Sequence, residues 1–122
     1  MPEDGAREMA KFLVLYNSPM SASEVMANAS PEEAKAGMDA WMAWAQQARD
    51  AVLDLGVPLE ARTHLEPGST SDSASQASGY SILQADSVDA ATSLLAEHPH
   101  LTVPGNTIDV LELLSMPGME GP

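Results

Sequence analysis

The sequence predicts a mixed α+β domain with a ferredoxin-like βαββαβ order, and three observations predict it. Lys11-Phe12-Leu13-Val14-Leu15-Tyr16 is a continuous apolar run, too short for a helix and rich in β-formers. Ser30-Pro31-Glu32-Glu33 opens a long stretch with one apolar stripe of helical period. After a polar interval, a strand, a short helix and a strand follow between Gly79 and Leu114. Two βαβ halves joined this way form a four-stranded antiparallel sheet with two helices on one face.

Each element has its own signal. In strand one, Phe12, Val14 and Tyr16 point to one side and Leu13 and Leu15 to the other, so both faces of the sheet call for cover. Helix one has Ser30 at the N-cap, Pro31 at its first position and Glu33 closing a capping box. Its stripe is Ala34, Met38, Trp41, Ala45, Ala48, Val52 and Leu55, with Gly56 as its stop and Pro58 beyond, and the stripe is expected to lie on the sheet. Val57 to Leu65 alternates and reads as strand two, with Glu60, Arg62 and His64 on its polar side. Glu66 to Ser78, mostly Ser, Thr, Gly and Ala, offers little to a core and reads as a mobile loop. Strand three is Gly79 to Ala85. Asp86 or Ser87 caps a second helix that stops near Glu97, because Pro99 forces its predecessor out of helical geometry. Asn106 to Leu114 is strand four. The folded domain spans residues 11–114, between polar tails at 1–10 and 115–122.

Composition bounds the partners. Eighteen acidic residues against five basic ones leave a net charge of -13, which repels a phosphate backbone and an anionic bilayer, so neither nucleic acid nor membrane is an expected partner. There is no cysteine, hence no disulfide and no thiol chemistry, and the absence of a secretory pattern makes a cytoplasmic location the default expectation. With helices on one face, the bare apolar face of the sheet is most cheaply covered by a second copy, a homodimer with its sheets packed face to face.

Strand one, Ser30-Pro31-Glu32-Glu33, Met38 with Trp41 and Trp44, Gly79-Tyr80-Ser81-Ile82-Leu83, Ala85-Asp86-Ser87 and His98-Pro99 together resemble the YCII-related family of dimeric α+β barrels over residues 11–114. The resemblance implies the same dimeric fold and, as in some members, a candidate active site made of a helix-one His and an acid just before a Pro in the loop after helix two. This chain departs on both counts. Helix one has no His, offering Asp39 and Gln46 or Gln47 instead, and the position before Pro99 is His98. An inverted pair, Asp39 as carboxylate and His98 as imidazole, would restore the set. The Asp-Gly-Pro-Phe motif of a related subgroup is replaced by the Ser-rich segment, so a function tied to that motif does not carry over.

The candidate catalytic residues are His98 and His100, as proton donor or acceptor, with Asp39 orienting one ring. The plainer reading is that these histidines cap a helix C-terminus. His64 reads as a surface or dimer-contact residue. Trp41 and Trp44 share one side of helix one and Tyr16 approaches them, forming either ordinary core or the wall of a ligand cavity to which Met20, Met26, Met38 and Met42 would be suited. Pro99 holds His98 and His100 apart, so no metal site is expected, and no phosphate-binding loop or serine elbow calls for a cofactor or a nucleophile. The chain thus reads as a homodimer that binds or transforms a small apolar or aromatic metabolite by cofactor-free His acid/base chemistry. The alternative is a non-catalytic dimeric interaction module.

Overall fold

The computed structural model describes residues 9–115, so the tails read at 1–10 and 115–122 fall almost wholly outside the described residues. The described elements are strand β1 (Ala10–Asn17), helices α1 (Ala22–Asn28) and α2 (Pro31–Ala48), strands β2 (Val52–Asp54), β3 (Thr63–Glu66), β4 (Ser69–Asp72) and β5 (Ala77–Ala85), helix α3 (Val88–Leu95) and strand β6 (Thr107–Leu113). One sheet has four strands in the order β2-β5-β1-β6, all neighbours antiparallel, an arrangement compatible with a ferredoxin-like α+β fold. A separate ribbon pairs β3 with β4.

Alternation in β1 is as expected. Phe12, Val14 and Tyr16 are buried beneath the helices with Ser81, Leu83 and Ala85 of β5, while Leu13 and Leu15 on the opposite face are half-buried. Register carries that open face across the sheet, since Leu13 sits opposite Ile82 on one side and Leu111 on the other. The covered side holds the main core, in which Val14, Tyr16, Trp44, Ala48, Leu83 and Leu95 pack together.

Three expectations are corrected. Helix α2 starts at the expected box, with Ser30 Oγ accepting from Glu33 N at 3.1 Å, but it ends at Ala48 and not at Leu55. Arg49 takes a positive φ of 52°, a single 3₁₀ turn follows, and the β-branched Val52 enters the sheet opposite Leu83. Ala34 and Met38 of the stripe are exposed, because only the second half of this helix, from Trp41 onward, lies against the core. Second, the second strand of the main sheet is Val52–Asp54. Residues 57–65 contribute one bridge, Pro58 to Gly79, and then part of the ribbon. Pro58 has no N–H to donate, which suits it to an edge bridge and not to a central ladder. Third, the Ser-rich segment is not all loop, since Ser69–Asp72 pairs with Thr63–Glu66 around a Pro67-Gly68 turn in which Gly68 has φ 80°.

Helix α1 adds an element to the expected βαββαβ order. Its Ser21 and Glu24 form a second capping box, with Ser21 N donating to Glu24 Oε1 at 3.0 Å. Gly56 is required for a steric reason: at φ 83° a Cβ there would lie 1.7 Å from the Tyr80 carbonyl oxygen. Among the described residues no helix is long and apolar enough to cross a membrane.

Candidate functional site

The covered face of the sheet brings Tyr16, Trp41, Trp44 and His98 into one cluster. Tyr16 arrives at the inward position near the end of β1, and Trp41 and Trp44, three residues apart, descend from α2. His98 follows α3, with φ -66° and ψ 137°, as a residue before proline prefers. Its ring centroid lies 4.8 Å from Tyr16, 4.4 Å from Trp41 and 4.4 Å from Trp44. Tyr16 and Trp44 are only 1% and 4% exposed, whereas Trp41 is partly exposed.

Most polar atoms of this cluster are satisfied. Trp44 Nε1 donates to the Leu94 carbonyl at 2.9 Å. Tyr16 donates its hydroxyl to Ser81 Oγ at 2.9 Å, and Ser81 donates onward to the Leu55 carbonyl at 2.7 Å. Burial raises the Tyr16 pKa, outweighing the opposing effect of Ser81, so the phenol keeps its proton.

His98 differs. It is 1% exposed, and its Nδ1 accepts the His100 backbone N–H at 2.9 Å, capping the 3₁₀ turn Pro99–Thr102. In a neutral ring that bond assigns the hydrogen to Nε2. Burial, and secondarily the neighbouring His100, lower the His98 pKa from 6.5 to about 4, so the ring is neutral near pH 7. Nε2 is buried and has no hydrogen-bond partner. An unmade bond of this kind costs about 1–3 kcal/mol, and native proteins leave few of them.

His100 is 8% exposed, with both ring nitrogens engaged. Nε2 donates to the Asn17 carbonyl at 2.8 Å, and Nδ1 faces Asn106 Nδ2 at 3.4 Å, while the same Asn106 nitrogen donates to the His100 carbonyl at 3.2 Å. The residue ties the end of β1 to the approach to β6, and its centroid stands 6.5 Å from that of His98. The Pro-containing segment is a 3₁₀ turn, and the two rings make separate contacts.

Asp39 is not brought to these rings. It is exposed on α2 and pairs with Lys35, one helical turn earlier, at 2.7 Å. Met20, Met26, Met38 and Met42 are 42%, 60%, 61% and 42% exposed and do not fill the core. His64 is on the exposed ribbon, paired with Glu66 at 2.9 Å. Asn17, Ser81 and Asn106 were not singled out from the sequence, and only Ser81, polar at an inward strand position, left a signal there. Among the described residues no group of three or more His, Asp or Glu could hold a metal ion.

A concavity of about 360 Å³ lies where the β1–α1 connection meets the base of the ribbon, with five serines, Glu24 and Glu60 among its lining residues. Glu60 accepts from the Ser23 hydroxyl at 2.9 Å, and Glu24 belongs to the α1 capping box.

No protein-family model matches the chain, and no curated protein matches it either.

Proposed function

We propose that the chain is a homodimeric α+β barrel of the YCII-related kind that binds a small apolar or aromatic molecule at the His98 cluster. One observation carries this reading: a buried N–H donor without a partner, surrounded by three aromatic rings. Binding is better supported than proton transfer. Nε2 already holds its hydrogen and Nδ1 is committed to the backbone, so acting as a base would require His98 to give up its cap.

The open face of the sheet supports the dimer. Leu53 and Leu111 there are each 46% exposed, and Leu13, Leu15 and Ile82 are half-buried. Two chains of charge -13 repel each other over most of their surfaces and can meet where apolar residues dilute the charge. That same face favours the second reading, a dimeric interaction module in which the His98 cluster only holds the fold.

An NMR pH titration of the three histidines, free and with a mixture of small aromatic acids and lactones, separates the readings. Binding predicts His98 signals that move with one compound, and histidines indifferent to every compound would sink it. Sedimentation tests the dimer, which Leu111→Glu should dissociate without unfolding the chain.

A further inference from the structure

The His98 cluster restricts the chemistry of what it can hold, and the restriction rests on reading that cluster as a binding site. The Nδ1 contact with His100 N fixes the tautomer, so the ring offers a hydrogen and not a lone pair. A ligand N–H or O–H directed at that atom would leave two donors opposed, whereas an acceptor oxygen completes the bond. Burial keeps the ring neutral, so it brings no positive charge to an anion. His100 cannot substitute, since both of its nitrogens are engaged.

Lys35, the basic residue of α2, is paired with Asp39 on the outside of that helix. An ionised carboxylate placed here would lose its hydration without gaining a counter-charge, and would first have to approach a chain of charge -13. The rings packed around His98 are flat, and Trp41, the partly exposed one, is the member that an incoming ring would meet.

We propose that the ligand of this site is an uncharged, planar molecule with a carbonyl-type oxygen, which accepts the Nε2–H of His98 while its ring packs against Trp41, and that carboxylates of the same shape are rejected.

Acetophenone and benzoate test this, because they share ring and size and differ in the charge of the acceptor. Each is titrated into the full-length chain near neutral pH, with the His98 ring nitrogens and the Trp41 indole followed by NMR. The expected result is that acetophenone shifts both sets of signals, with a dissociation constant at least about tenfold below that of benzoate. His98→Asn retains an acceptor for the His100 backbone but is too short to place a donor at the Nε2 position, so it should abolish the acetophenone response. Trp41→Ala, at a partly open position, should weaken that response in a chain that stays folded. Preferential binding of benzoate, with His98 becoming charged, would overturn the ligand class and leave the site standing. If neither compound moves His98 at millimolar concentration, both the class and the binding reading fall.

Discussion

The ring cluster around His98 and the serine-lined hollow beside the ribbon are built from opposite materials, and they use their polar atoms in opposite ways. In the hollow, hydroxyls and carboxylates are numerous and occupied. Glu60 holds Ser23, Glu24 completes a cap, and Ser73 and Ser75 accept from backbone N–H groups two residues on. Beneath α2 there are few polar atoms, and one of them, His98 Nε2, is left without a partner where water does not reach it. The contrast shows that a wealth of polar groups marks local chain folding as readily as it marks recognition. A single incomplete bond in a dry place is the more informative sign.

The largest expected effect tests whether the cluster is the mechanical centre of the domain. Trp44→Ala removes a 4%-exposed indole together with its bond to Leu94, and should cost about 3–5 kcal/mol in urea unfolding. A loss below about 1 kcal/mol would place the core elsewhere.

Next comes pH. The unfolded chain takes up a proton at His98 near pH 6.5 and the folded chain only near pH 4, so falling pH favours unfolding between those values. Stability from this residue is complete above pH 6.5 and declines by about 3 kcal/mol as pH falls to 4. The difference between wild type and His98→Asn across that range isolates the effect, and parallel pH curves for the two would contradict a buried neutral ring.

Asn106→Ala sharpens the distinction between the two histidines. It removes a donor shared by the His100 carbonyl and Nδ1, and should cost about 1–2 kcal/mol while leaving any ligand response of His98 in place. The smallest effect belongs to the hollow. Glu60→Ala breaks an exposed contact and should change the unfolding free energy by less than about 1 kcal/mol. A larger loss there would reverse the comparison.

Signals within a few residues of each other in sequence were the readable ones. The inward set Phe12, Val14 and Tyr16, the Ser30 box and the Ser87 cap follow from local spacing, and Ser87 Oγ does accept from Ala90 N at 3.1 Å. The end of α2 was hidden because Val52 and Leu55 continue the helical stripe while also suiting a strand, and the choice was made by pairing with β5, far along the chain. The Ser21–Glu24 box that opens α1 is a local signal of the same kind. In the site, the meeting of Tyr16 with Trp41 was readable from strand and helix faces, and their centroids lie 4.8 Å apart. Asp39 is not an orienting group here because it lies two residues before Trp41 and so on the exposed side of α2, where it pairs with Lys35. The Asn17 contact of His100 spans most of the chain and left no local pattern, and the Asn106 contact, though only six residues away, belongs to no recognisable capping or turn signature.

The bond from the His100 backbone to His98 Nδ1 also governs motion. A half-turn of the imidazole about its Cβ–Cγ bond would break that cap, so the main chain sets the direction of Nε2–H before any partner arrives. An acceptor meeting this donor would lose its own freedom and require almost none from the protein, which lets a small molecule with few contacts bind more tightly than its size alone would allow.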